Sequence, residues 1–172
     1  PGHSHAAGEE EESGEHDHSH DEAGGDDSPQ HEHGESQTHQ KPADAASRDP
    51  VAVVEAFHGA LAAGSAAKVE ALLDPKVLIM EGGNMERSRQ EYASHHLPSD
   101  LKFMSAIRYQ LKRQTGDTVG DLAWVASEAT LTGESGGKAV NLVSTESLVL
   151  KKTTGGWKIV HIHWSSRSAK QA

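Results

Sequence analysis

Between residues 104 and 166, apolar and polar side chains alternate with a period of two in four long stretches, and this pattern limits the possible folds more than any other feature of the chain. The stretches lie at about 104–114, 119–132, 139–152 and 157–166. Between them stand Thr115-Gly116-Asp117, Glu134-Ser135-Gly136-Gly137 and Thr153-Thr154-Gly155-Gly156. Glycine-containing breaks of this length between alternating runs predict antiparallel strands joined by hairpins. The residues before them read as helical. Asp49 is a favoured N-cap and Pro50 is suited to the first helical position. Val53, Val54, Phe57, Ala60 and Leu61 then recur at helical spacing, and Gly64 is placed to end the helix. A second short helix fits Ala66 to Leu73, stopping at Asp74-Pro75. Val77 to Met80 predicts a short strand, Glu81-Gly82-Gly83-Asn84 a turn, and Ser88 to Leu97 a third helix closed by Pro98. Helices followed by long antiparallel strands imply an α+β fold, a curved antiparallel sheet with three helices on one side.

Residues 1–47 cannot belong to that fold. They contain no Val, Ile, Leu, Met or aromatic residue, so ordering them would cost roughly 1–2 kcal/mol per residue with no apolar burial in return. Low hydrophobicity with high charge predicts a disordered acidic tail. The expected organisation is therefore a tail over 1–47, one domain over 48–167 and a short C-terminal tail over 168–172. Residues 1–40 hold 8 of the 13 histidines and 12 of the 26 acidic residues, with no Lys or Arg, a formal charge of −12. The remainder carries 14 acids against 16 bases, or +2. A near-neutral domain without a basic stripe argues against nucleic acid as a partner. The absence of cysteine excludes disulfides, thiolate metal sites and a Cys nucleophile. No apolar run approaches the ~20 residues that span a membrane.

The tail histidines have a pattern of their own. His16-Asp17-His18-Ser19-His20-Asp21-Glu22 alternates imidazole with oxygen donors, and His3-Ser4-His5 and His31-Glu32-His33 repeat the His-x-His unit. Neutral imidazole is a good ligand for Zn2+, Cu2+ and Ni2+, and carboxylates add charge. His16, His18, His20, His31 and His33 are thus candidate ligands for exchangeable ions. The start at Pro1-Gly2 implies a processed or trimmed chain. Together with a metal-suited tail it leads us to expect a periplasmic or secreted protein, with a cytoplasmic one still open.

The order of the domain's elements, ending in Gly156-Trp157-Lys158-Ile159-Val160-His161-Ile162-His163-Trp164-Ser165, resembles the nuclear transport factor 2-like superfamily in its SnoaL-like branch, over roughly 49–167. That resemblance implies a cone, a bent sheet wrapped round a pocket with helices at its mouth. It implies a homodimer as a common state. It also implies a choice between ketosteroid isomerases, cyclases, dehydratases and non-catalytic binding proteins, so the fold does not settle the function.

His161 and His163 are two apart on a strand and share a face. In the resembling family that face, with Ile159 and Ser165, should line the pocket. With Thr153–Gly156 as the turn, counting back sets His161 opposite Leu148 and His163 opposite Glu146, although a one-residue slip would move Glu146 to the other face. His95 and His96 fall near the end of the third helix, with Glu91 four residues before His95. The candidate metal set is therefore His161 and His163 with His95 or His96, plus a carboxylate from Glu81, Glu91 or Glu146. Three or four N/O donors would suit Zn2+ or Cu2+. The plainer readings are hydrogen-bonded pocket histidines at 161 and 163, a helix C-terminal pair at 95 and 96, a core-edge residue at His58, and sheet packing for Trp124, Trp157 and Trp164.

The sequence-led expectation is a divalent transition-metal-binding protein for storage, delivery or resistance rather than an enzyme, with a metal-transport protein as its partner. Against it stands a small-molecule isomerase, cyclase or dehydratase in which a pocket His–carboxylate pair moves a proton.

Overall fold

A computed structural model describes residues 49–169. Four helices and six strands follow in the order α1 (Pro50–Ala62), α2 (Ala66–Leu72), β1 (Leu73–Glu81), β2 (Asn84–Glu86), α3 (Arg89–Ser94), α4 (Leu97–Ala106), β3 (Ile107–Val119), β4 (Leu122–Ser135), β5 (Lys138–Thr153) and β6 (Gly156–Ser168). The strands form one curved sheet in the order β2-β1-β6-β5-β4-β3. The α+β class holds, with two differences. The sheet is mixed, because β1 runs parallel to β6. There are four helices among the described residues, because the segment expected to be closed by Pro98 breaks at His95-His96 and restarts. Pro98 sits in the first turn of α4, where its missing N–H costs nothing and its fixed φ favours the helix.

Local chemistry explains most boundaries. The Asp49 side chain accepts from the Val51 N–H at 3.0 Å, and Ser88 accepts from the Glu91 N–H at 3.0 Å. The β3–β4 turn lies at Gly120 (φ 61°) and Asp121 rather than at Gly116. Gly116 is a strand residue instead. A Cβ there would stand 2.6 Å from the Trp124 carbonyl oxygen, so only glycine permits that approach.

One face of the sheet packs against the helices. Val53, Val54, Phe57 and Leu61 of α1 meet Val77 and Ile79 of β1, Val125 of β4, Leu148 and Leu150 of β5, and Ile159 and Ile162 of β6. Each such side chain contributes roughly 1.5–3 kcal/mol on burial. The alternation is clearest in β4, where Ala123, Val125, Ser127, Ala129 and Leu131 are buried while Leu122, Trp124 and Glu128 are exposed.

A β-bulge in β6 changes the reading of that strand. Leu150 pairs with Ile159 and Val149 with His161, so Val160 is left without a partner. Before the bulge, Trp157 and Ile159 point to the core. After it, Ile162 and Trp164 do. The extra residue inverts the parity of everything downstream.

Candidate active site

Where the core loosens, α1 and α4 stand off the sheet and leave a cavity of about 140 Å³. Apolar side chains such as Leu61, Phe103, Met104 and Leu131 form most of its wall. The polar groups come from separate elements: His58 from α1, Glu81 from β1, Asp100 from α4, Tyr109 from β3, Ser127 from β4, Glu146 from β5 and Trp164 from β6. A largely apolar cleft with a few convergent polar groups is the usual form of a small-molecule site.

Glu146 is the centre of one wall. Strand alternation aims it inward with Leu148 and Leu150, and it is 9 % exposed. His58 Nε2 lies 2.9 Å from both of its carboxylate oxygens, and Trp164 Nε1 donates to Oε2 at 2.6 Å. Two N–H groups therefore compensate the burial of this carboxylate. With Nε2–H donating to Glu146, Nδ1 of His58 keeps its lone pair. The Tyr109 ring stands 4.9 Å from the imidazole. Burial first, and the charge of Glu146 second, push the Tyr109 hydroxyl up to about 12, so it is a neutral donor at physiological pH.

The facing wall is acidic. The Tyr92 hydroxyl donates to Asp100 Oδ2 at 2.8 Å. Burial pushes the Asp100 carboxyl above its ordinary value, against the pull of that hydrogen bond. Burial first, then the nearby Asp100 charge, raise Glu81 as well. Burial and Asp100 hold Tyr92 firmly protonated.

The structure redistributes the residues expected at the site. His161 and His163 do not line the cavity. The bulge at Val160 turns them to the opposite face of the sheet, where His163 is exposed and His161 half-buried, together with Ser165's strand partner Thr145. Ile159, expected beside them, is in the core. For the same reason Glu146 pairs with Trp164 and not with His163, and its imidazole partner is His58, expected at the core edge. Glu81 does reach the cavity. His95 and His96 sit at the break between α3 and α4, on either side of the Glu86 carboxylate: His95 Nδ1 is 3.5 Å from Oε2, and His96 Nδ1 contacts Oε1. Glu86, His96 and Asp100 border an adjoining recess, apart from His58 and Glu146. His16, His18, His20, His31 and His33 lie outside the described residues.

Sequence reasoning missed His58, Trp164, Tyr109, Asp100 and Glu86. A signal existed for His58, which lies three residues before Leu61 on the buried stripe of α1 and so had to face something enclosed. No local signal marked the others.

Residues 51–168 match the model of the SnoaL-like domain. A provisionally assigned ketosteroid isomerase from Shewanella frigidimarina is similar at 40 % identity and TM-score 0.65, over 66 % of this chain and 92 % of that one. A provisionally assigned dehydratase of the nuclear transport factor 2-like family from Streptomyces avermitilis matches at 21 % identity and TM-score 0.61, over 69 % and 94 %. The association domain of the calcium/calmodulin-dependent kinase II of C. elegans matches at 21 % identity and TM-score 0.56, over 67 % and 91 %. The last two likenesses concern the fold alone. No curated protein matches the sequence.

Proposed function

Because the chain belongs to the SnoaL-like domain family, we propose that its cavity is the active site of a small-molecule isomerase or dehydratase, in which His58 takes a proton from a carbon next to a carbonyl. The observation that carries this reading is the His58–Glu146–Trp164 cluster, an imidazole held by a buried carboxylate whose two oxygens are both occupied by N–H donors. The similarity to a provisionally assigned ketosteroid isomerase at 40 % identity favours this reading over metal handling as the domain's main activity.

Glu146 fixes the ring and the tautomer of His58 and stabilises the imidazolium formed when Nδ1 accepts the proton. The substrate oxygen gains negative charge in the same step. Tyr109, neutral at working pH, donates to it. The imidazolium then returns the proton to another carbon, giving isomerisation, or delivers it to a departing hydroxyl, giving water and an alkene. The apolar lining selects a compact, mostly hydrocarbon substrate with one carbonyl. A homodimer belongs to the same proposal, since a second copy would cover Leu122 and Trp124, which are exposed at 52 % and 44 %.

The test is incubation of the protein in D2O with small cyclic ketones, β,γ-unsaturated ketones and β-hydroxy carbonyl compounds, followed by NMR. Deuterium entry at the α carbon or loss of water is expected, slowed about 10²–10⁴-fold in His58→Gln and Glu146→Gln. Exchange in none of the three classes, or an unchanged rate in His58→Gln, would overturn the assignment.

A further inference from the structure

We propose that Glu86, Glu91 and His95 form a site for one divalent transition-metal ion at the corner where β2 meets α3, separate from the His58–Glu146 cluster. One ligand atom from each of the three residues lies within 4.8 Å of the other two. Bonds of about 2.0–2.2 Å to zinc put neighbouring ligands roughly 3.3–3.6 Å apart in a tetrahedron, so the set closes on an ion with movements of about an ångström. His95, whose side chain is 61 % exposed, has the freedom to make them.

The placement follows from the sequence outward. Glu91 and His95 are four apart and rise from the same side of α3 and its C-cap. The Gly82-Gly83 turn folds β2 back along β1 and brings Glu86 beneath them. A backbone bond orients the second ligand: the Arg87 N–H donates to Glu91 Oε2 at 2.6 Å, leaving Oε1 for an ion.

The independent observation is the state of Glu86. It is 5 % exposed, and Oε2 is buried without any hydrogen-bond partner. His95 Nδ1 stands 3.5 Å from that oxygen, close enough to share an ion and too far for a good hydrogen bond. His96 Nδ1 engages only the other oxygen. A buried carboxylate with an orphaned oxygen costs free energy unless something neutralises it. Asp100 and Glu81 line the same recess as Glu86 and supply no positive charge to it. A cation bound to Oε2 resolves the deficit.

The ligand set selects the class. One imidazole nitrogen with two carboxylates suits Zn2+, Cu2+ or Ni2+, and the imidazole disfavours Ca2+ and Mg2+, which prefer oxygen alone. The solvent-facing side leaves a position open for water. The alternating His/Asp/Glu pattern of residues 16–22 has the same donor chemistry, though the site needs none of those residues.

Thermal unfolding of the full chain tests the site without interference from ligands available in the unfolded chain, because only a site assembled by folding raises Tm. Saturating Zn2+ is expected to raise Tm by roughly 5 °C or more, with Cu2+ or Ni2+ acting likewise and Ca2+ not. The rise should disappear in His95→Ala and in Glu86→Gln, and persist in a His161→Ala/His163→Ala double variant. His95 is exposed, so His95→Ala remains informative even if Glu86→Gln fails to fold. No rise with any of the three ions, an equal rise in His95→Ala, or a rise with Ca2+ alone would overturn the proposal. None of these outcomes bears on deuterium exchange at His58.

Discussion

Two carboxylates in this domain each meet imidazole, and they are in opposite condition. Glu146 is anchored in a long central strand, and both of its oxygens are taken by N–H donors, one from the distant helix α1 and one from the neighbouring strand β6. Glu86 ends a three-residue strand beside two short helices, and one of its buried oxygens has no partner. A satisfied carboxylate is a fixed tool for orienting a base. An unsatisfied one is a site awaiting charge. Residue type was the same in both places, so the surroundings decide the chemistry.

The contrast can be broken most directly at Trp164. Trp164→Phe keeps a ring against Phe57 but removes the indole N–H from Glu146. The expected loss is about 2 kcal/mol in urea denaturation, the usual range for a hydrogen bond to a charged group. A loss under about 0.5 kcal/mol would mean that Glu146 is no better satisfied than Glu86.

Asp100 gives the next largest effect, read against pH. Its folded-state carboxyl is raised by burial above the ordinary 3.8. Below 3.8 both folded and unfolded chains carry the proton, and the contribution to stability is fully present. As pH climbs through the raised folded value, the unfolded chain has already ionised, and that contribution is lost. Denaturation midpoints of the wild type should therefore fall across this window, and Asp100→Asn should flatten the fall. A steeper fall in Asp100→Asn would refute the raised carboxyl.

A smaller change is expected at the other carboxylate. In metal-free buffer Glu86→Gln should shift stability by no more than about 1 kcal/mol in either direction, because it removes a charge that was not fully compensated. A loss of 3 kcal/mol would show that Glu86 is as well paired as Glu146, and the proposed ion site would lose its main support.

The smallest effect belongs to the strand histidines. The His161→Ala/His163→Ala double variant should stay within about 0.5 kcal/mol of wild type and keep pocket activity, as expected for side chains on the sheet face away from the cavity. A large drop in deuterium exchange would put that face into the mechanism after all.

Much of the fold was legible because it is written locally. Asp49-Pro50 marks the start of α1, paired glycines mark the hairpin at Gly136-Gly137, and alternation marks β4 and β5 almost to their ends. Pro98 was misread because proline both stops and starts helices, and the choice depends on whether residues beyond it can bury a face. Leu97, Leu101 and Met104 can. The candidate site was legible only in part. Glu81 and Glu146 were singled out and do line the cavity, yet the imidazole beside Glu146 is His58 and not His163.

The sequence by itself determined the order of elements, the α+β class and the fact that His161 and His163 share a face. Strand pairing decided which face that is, because one unpaired residue at Val160 reverses the parity of the strand, and the sequence registers this only as the adjacent apolar pair Ile159-Val160, where the apolar phase passes from odd to even positions. Tertiary structure alone brought His58 to Glu146 across 88 residues of chain, since no local spacing encodes a contact made by packing a helix over a sheet.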